Sequence, residues 1–516
     1  MSEYSRDNMR IARNTLIVYV RMVLIILIGV LCTRFVMQAL GVSDYGLYGV
    51  VGGLIAILGV LNTAMNTTTR RYINFEMGRP GGDTNRIFNI CMVIHIGLAL
   101  LIFLLAQTIG LFYIYNWLNL DDPSKLPDAV FVFEVSTVSA CIGIINLPFQ
   151  GLLEAHEKFV QTAAVDIVAN LLRLGAIVLL LFYKGNALRM YSVIMAGMAL
   201  FSMLAFHLLC RRQWPETIRW RFFRDWDAYR EIIAFNNYTA LSAGAYVART
   251  QGSTLLVNFF FGTVVNAGLS VAYQVENFSV TGVNRLGSAA APQVTQNYSG
   301  ENRERSLDLV YKISRYSALL MTIVVFCGLV ELDAVLQLWL PTVPEGALLF
   351  TRWTLISALV RSFAGGTQTL EQATGKIKWF QICNSIMSLL CLPVGFAAFK
   401  LGAPPVTIIW IYIGYTVAYR VVEFWLLHRL LDFDVMIFIR KAYLKPLVVV
   451  AAMTLWMVLY RLVIPANMSI WGSLAGIAAT FVAAGLLSFF AGCFPWEREA
   501  VTRNLTGLVH RLFGRK

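Results

Sequence analysis

Arginine dominates the chemistry this sequence has to offer. Inside its long apolar stretches stand Arg21, Arg34, Arg173, Arg249, Arg285, Arg352, Arg361 and Arg420, and no lysine. An arginine at the centre of a bilayer costs at least ~3 kcal/mol on insertion scales, so it faces protein, water or a ligand. The acids in the same stretches are fewer: Glu134, Asp166, Glu276 and Glu423. Some of the arginines have local answers. Arg34 and Arg352 lie near one end of their stretches and Arg285 near the other, where a long side chain can snorkel. Arg420 and Glu423 are three residues apart on one helix and can neutralise each other. Asp166 and Arg173 are seven apart, on one face but too distant along the helix to pair unaided. Arg21, Arg173, Arg249 and Arg361 remain, deeper and without a sequence-local partner. They are the candidate ligand-binding residues, with structural helix-to-helix bonding as the competing role. The guanidinium fork suits phosphate oxygens, which makes an anionic, phosphorylated ligand the chemistry they fit. Glu134, Asp166 and Glu276 are the candidate ion-coupling residues.

Other chemistries find no support. There is no Walker loop, nucleophile elbow or metal-binding histidine pair, so no catalytic residue, metal or cofactor is expected. His95 and His207 stand alone in their stretches, where a hydrogen-bonded packing role competes with a proton relay. The eight cysteines (Cys32, Cys91, Cys141, Cys210, Cys327, Cys383, Cys391, Cys493) lie in or beside apolar segments without CxxC spacing, and read as small buried hydrophobes.

The elements that must position these residues are membrane-spanning helices. Of 516 residues 58% are hydrophobic and 14% charged, against roughly a quarter charged in soluble domains. Apolar blocks such as Leu16–Met37, Ile90–Ile114 and Trp471–Phe490 approach the ~20 residues a helix needs to cross hydrocarbon. They lack the alternation of barrel strands. Fourteen spans are expected: 14–38, 44–69, 87–113, 128–150, 160–183, 187–210, 231–261, 264–291, 307–339, 345–371, 377–399, 404–428, 443–463 and 468–494. With the N-terminus inside, cytoplasmic segments hold 29 lysines and arginines, and outside loops hold only Lys125, Lys184, Arg189, Lys400 and Arg461. This is the positive-inside pattern, and it sets both termini in the cytoplasm. The net charge of +13 is thus spread between spans rather than gathered on one surface, and no nucleic-acid partner is implied. The basic N-terminus lacks a small-residue cleavage site and reads as a first retained helix.

The chain repeats itself weakly. Leu40–Leu47, between spans one and two, matches Phe261–Leu269, between spans seven and eight, with Gly46 and Gly268 222 residues apart. Leu153-Glu154 with Lys158 matches Leu370-Glu371 with Lys376. A six-span repeat is a known transporter plan, with the substrate path between the halves. The expected organisation is a six-helix bundle at 1–212, an interfacial amphipathic linker at 213–230, a second bundle at 231–430, and two additional helices with a basic tail at 431–516. The linker, with Trp220, Phe223 and Trp226 among arginines, and the tail around Val501–Leu512 read as helices lying on the membrane. Gly46, Gly49, Gly52 and Gly53 permit close helix approach, and Pro148, Pro292 and Pro393 can kink their helices.

The Leu40–Leu47 turn, the first span starting Arg13-Asn14-Thr15, the arginine-flanked Asn66–Gly78 stretch and the 6 + 6 + 2 plan resemble the polysaccharide-transporter family. These are the O-antigen and lipid-linked oligosaccharide flippases, of the superfamily that also holds the multidrug and toxin extruders. The resemblance covers nearly the whole chain and is one of pattern and topology. It implies two six-helix bundles around a basic cavity, alternating access, and a polyprenyl-pyrophosphate-linked glycan as cargo in a bacterial inner membrane. Membrane lipids and glycan-assembly proteins are the implied partners. It also implies ion coupling, although no position here matches a fixed coupling motif. Two rivals stand against it. An ion-coupled multidrug exporter of the same fold commonly carries organic cations, which eight buried arginines against four acids disfavour. A glycan polymerase or ligase needs an external catalytic loop, and the longest outside loop, about Asn116–Pro127, is short.

The charge split predicts a labelling pattern. In a cysteine-free background, cysteines at Ser124, Gly185 and Ala403 react with an impermeant thiol reagent from outside, and those at Gly82, Asp225 and Glu301 do not. Reversed labelling at any two sites overturns the topology.

Overall fold

The computed structural model describes residues 23–58, 69–77, 79, 81–156, 158–299, 303–374, 377–464, 469–499 and 502. Among them every regular element is helical. The order is α1 (Val23–Leu40), α2 (Val42–Leu58), α3 (Thr84–Leu105), α4 (Leu126–Ala155), α5 (Phe159–Leu180), α6 (Ala187–Gln213) and α7 (Trp226–Ser299). There follow α8 (Arg303–Val330), α9 (Ala347–Ser362), α10 (Gly365–Thr374), α11 (Lys378–Lys400), α12 (Thr407–Leu431), α13 (Leu444–Val463) and α14 (Ile470–Leu487). The chain is an all-α polytopic membrane protein, as its composition requires.

Among the described residues ten helices are long and apolar enough to cross a membrane, or eleven if α9 and α10, bent by 46°, form one span. The described parts of the other expected spans are helical too. The apolar part of α2 is shorter, at Val42–Ile57. The long α7 runs two expected spans together through a break at Gly262 (φ 81°, ψ −176°). Arg420 and Glu423 dilute α12. The expected amphipathic tail lies outside the described residues.

The chain divides into two compact units. The first comprises Met1–Ser270, Trp339–Glu345 and Ser388–Pro405. Here α4 packs along α6 and α3, and α5 along α6. Two glycines with positive φ, Gly41 (80°) and Gly262 (81°), mark the matching turns of the sequence repeat. A left-handed backbone of this kind costs glycine little and other residues more. These two turns meet. Ser43 Oγ and Thr263 Oγ1, 220 residues apart, stand 2.9 Å from each other, and both donate to the Asp121 carboxylate. Asn266 Nδ2 donates to the Gly46 carbonyl at 3.3 Å, again across 220 residues. The α2 glycines make this approach possible: a Cβ on Gly46 would sit 2.0 Å from the Thr263 carbonyl oxygen, and one on Gly49 2.7 Å from Ser270 Oγ.

The linker departs from expectation. Instead of an amphipathic helix over 214–230, a single turn at Pro215–Ile218 precedes a non-helical run up to Trp226. The cause lies on α3. Asn85 Nδ2 donates to the carbonyls of Glu216 (2.8 Å), Thr217 (2.9 Å) and Arg219 (2.8 Å). Buried Asn89 takes the Arg219 carbonyl and accepts from the Arg221 N–H. Side-chain amides thus hold backbone groups that a helix would have used itself. Asp225 closes the run, accepting from the Ala228 N–H at 3.2 Å and from Arg86 at 2.5 Å. The Ala228 N–H first, then Arg86, holds its carboxyl below the usual carboxylate range. Trp220, Phe222 and Trp226 remain exposed, whereas Phe223 packs inward.

The second unit comprises Val271–Leu338, Gly346–Met387 and Val406–Lys516. Its axis is α8, which packs against α9, α10, α13 and α14. Arg315 on α8, counted above with the cytoplasmic loop charges, is buried in an ion pair with Glu497 and donates to the Lys441 carbonyl at 2.7 Å. Near the other end of α8, buried Glu331 accepts from Tyr460 Oη at 3.0 Å and faces Arg461 at 3.5 Å. Two buried glutamates therefore fix the last two helices to the α8 axis.

The Gly46 contact yields a direct check. Gly46→Ala forces the Thr263 backbone away and lowers stability by about 1–3 kcal/mol, the usual cost of overpacking. Gly52→Ala, with nothing within 4 Å of the new Cβ, leaves thermal unfolding in detergent unchanged or slightly higher. Equal melting temperatures for the two variants would show that the turns do not meet.

Candidate functional site

The candidate arginines fall into different environments. Arg21 lies outside the described residues, as does the side chain of Arg285. Arg173, on α5, stands among residues of three other helices: Cys32 on α1, Tyr48 on α2 and Tyr191 on α6. Tyr48 and Tyr191 meet edge to face with centroids 4.7 Å apart. The Arg173 Nε–H is buried and has no acceptor. No carboxylate among the described residues pairs with this guanidinium. The packing of α5 on α6 holds it there.

Arg249, on the first arm of α7, is 4% exposed. Its guanidinium lies 5.4 Å from the Tyr246 ring centroid, and Cys391 of α11 is within its electrostatic reach. The next turn packs hard on α11, since a Cβ on Gly252 would sit 2.8 Å from Leu392. Both Arg173 and Arg249 belong to the first unit.

In the second unit three of the arginines meet a carboxylate. Arg361 at the end of α9 forms an ion pair with Glu276 on α7, 85 residues away in sequence. A candidate binding cation and a candidate coupling acid thus satisfy each other. Arg420 pairs with Glu423 as their spacing indicated, and Arg315 with Glu497. Arg34 donates to the Trp339 carbonyl at 3.1 Å, while Arg352 is exposed.

The other candidate acids lie in the first unit. Glu134 accepts from Gln107 at 2.6 Å, and Gln107 sits in a π-helical turn, Ala106–Gly110, that extends α3. The Asp166 carbonyl accepts from Asn170 at 2.8 Å one turn along α5. His95 is buried with Nδ1 2.7 Å from the Cys91 carbonyl of its own helix, and His207 packs edge-on to Phe149. The eight cysteines are free thiols.

Sequence reasoning missed Glu331, Glu371 and Glu497, all buried. Glu331 and Glu497 fall at span edges, where a carboxylate is ordinarily solvated. Glu371 served only as a marker of the repeat. Its signal was the apolar, threonine-rich turn that precedes it.

No protein-family model matches the chain, and no curated protein matches it in sequence. Solved structures do. The lipid II flippase MurJ in an inward closed conformation superposes with a TM-score of 0.67 at 12% identity, over 92% of this chain and 98% of that one. An inward-facing multidrug resistance MATE family transporter of the MOP superfamily gives 0.64 at 16% identity, over 82% and 94%. A MOP superfamily transporter from Pyrococcus furiosus, described as having a binding pocket of reverse polarity, gives 0.56 at 14%, over 80% and 94%. This chain has the fold of the MOP transporters. At these identities the likeness carries architecture and leaves cargo to the residues. The neighbours that share this architecture include a lipid II flippase and a multidrug resistance transporter.

Proposed function

We propose that this chain is a flippase that moves a polyprenyl-pyrophosphate-linked oligosaccharide across a bacterial cytoplasmic membrane by alternating access, for surface polysaccharide assembly. The observation that carries the reading is Arg173. Arg315, Arg361 and Arg420 each have their charge already met by a carboxylate. Arg173 keeps its charge at mid-span without such a partner, where an isolated cation is costly. A pyrophosphate supplies the missing negative charge, and its oxygens match the guanidinium fork. Tyr48 and Tyr191 beside it add hydroxyl groups suited to phosphate or sugar oxygens. The MurJ neighbour is a flippase of a lipid-linked substrate with the same architecture, which supports the cargo class. Both termini lie in the cytoplasm on this reading, and Arg21, Arg249 and Arg361 are secondary candidates on the cargo path.

The rival reading, a multidrug exporter, draws on the MATE neighbours. It fits the residues less well, because an organic cation is repelled by a guanidinium that stays ionised even when partly buried.

A deletion strain separates the two. Loss of the gene causes lipid-linked glycan to build up on the cytoplasmic leaflet and leaves efflux of ethidium-like dyes unchanged. Complementation with Arg173→Ala lowers export about tenfold or more, the effect of losing one charge-assisted interaction of ~1.5–3 kcal/mol. Arg173→Lys restores part of it. A strain that loses dye efflux while its surface glycan stays intact hands the case to the drug exporter.

A further inference from the structure

The second unit contains a cluster that the arginine argument leaves unused. Glu371 on α10 is 4% exposed and Glu423 on α12 is 0% exposed. Arg420 Nη1 donates to Glu423 Oε2 and, at 3.3 Å, to Thr367 Oγ1, one turn before Glu371 on α10. The guanidinium is close enough to Glu371 to act on it electrostatically. Glu371 Oε1 and Glu423 Oε1 are both buried, and neither accepts a hydrogen bond.

The charges do not balance. Two carboxylates against one guanidinium leave one net negative charge in an apolar interior, at a penalty of several kcal/mol. Among the described residues the neighbouring groups supply no second cation. Tyr419 and Tyr443 are the titratable side chains beside the cluster, with Tyr415 and Cys383 beyond Tyr419. Tyr419 Oη donates to the Phe380 carbonyl at 3.2 Å and Tyr415 Oη to Asn384 Oδ1, and Tyr443 Oη has no partner. On α8, whose Ser314 packs against Gly366 of α10, Arg315 is committed to Glu497.

We propose that Glu371, Glu423 and Arg420 form a binding site for one exchangeable proton. The arginine keeps Glu423 ionised, and Glu371 takes the proton on an oxygen that nothing else occupies. The step is simple in balance: a carboxylate and a hydronium ion give a carboxylic acid and water, and the net charge of the cluster goes from minus one to zero. A metal ion fits less well. Hard cations want several oxygen ligands, the guanidinium repels them, and among the described residues no group of three or more acidic, histidine or cysteine side chains could hold one. The position suits a moving part. Glu371 sits on α10, just past the 46° bend from α9, and α10 bears closely on α8, a Cβ on Gly366 lying 2.1 Å from the Val310 carbonyl oxygen. As a coupling site the cluster rests on the transport reading above; as a proton site it stands without it.

Infrared difference spectroscopy on the full-length purified protein in lipid nanodiscs, titrated with pH, tests the site apart from any cargo. The wild type shows a titrating carboxylic-acid carbonyl band that Glu371→Gln abolishes. Glu423→Gln removes it as well near neutral pH, because Arg420 then matches the single remaining carboxylate. Glu304→Gln, on the exposed start of α8, leaves it intact. If Glu371→Gln fails to fold by thermal melting, Glu423→Gln carries the test. A band that persists in both variants, or no titrating band in the wild type, overturns the proposal. So does sodium-dependent thermal stabilisation lost in Glu371→Gln without any carboxylic-acid band, which would make the cluster a metal site.

Discussion

Charge inside hydrocarbon has to be compensated, and the compensation organises this molecule from the side chains outward. A guanidinium or carboxylate removed from water loses several kcal/mol of solvation unless an opposite charge or hydrogen-bonding group replaces it. In the second unit that requirement ties helices together: Glu276 of α7 to Arg361 of α9, Glu423 to Arg420 within α12, and Glu497 to Arg315 of α8. Each bond places a helix relative to another or stiffens one. Among the described residues, two positions stand outside these pairs with opposite sign. Arg173 in the first unit is a cation without a carboxylate, and Glu371 in the second is a carboxylate that shares its only cation. A protein that needed only to be stable would be served better by apolar residues at both places. Those two imbalances are what the proposed cargo site and the proposed proton site rest on.

The backbone follows a second constraint, the close approach of the two repeat-related turns. Gly41 and Gly262 share a positive φ, and Gly46 brings α2 against Thr263 at a separation no side chain allows. Asp121 then bridges Ser43 and Thr263 with one carboxylate. The chain around Gly262 in α7 is thereby anchored to α2, and α2 also carries Tyr48, which lies beside Arg173. Geometry that begins with a glycine ends by setting the environment of a charge 127 positions further along the chain.

Much of this was legible in the sequence, and what was not has a physical reason. Helix class and span positions follow from apolar blocks of membrane length, which no tertiary contact can override. The glycine repeat was visible because both turns need the same backbone conformation. The Arg420–Glu423 pair was visible because three residues is a local distance on a helix. The Arg361–Glu276 pair was not, since its partners are 85 residues apart and only the fold brings them together. The linker was misread as a helix because its aromatic and basic spacing is helical, while the asparagines that unwind it sit on α3. Glu371 was passed over because a carboxylate at a span edge is ordinarily solvated, and only burial by α8 and α12 makes it unusual.

The central claim is that the guanidinium of Arg173, which has no carboxylate partner among the described residues, selects an anionic, lipid-linked cargo. Reconstitution tests it most directly, with the purified chain in liposomes and a fluorescent polyprenyl-pyrophosphate disaccharide whose leaflet is read with a membrane-impermeant quencher. The account predicts that wild type moves the lipid between leaflets, that Arg173→Ala with an unchanged melting temperature does not, and that ethidium is not carried by either. Ethidium transport by the wild type, or lipid translocation by Arg173→Ala at the wild-type rate, would contradict it.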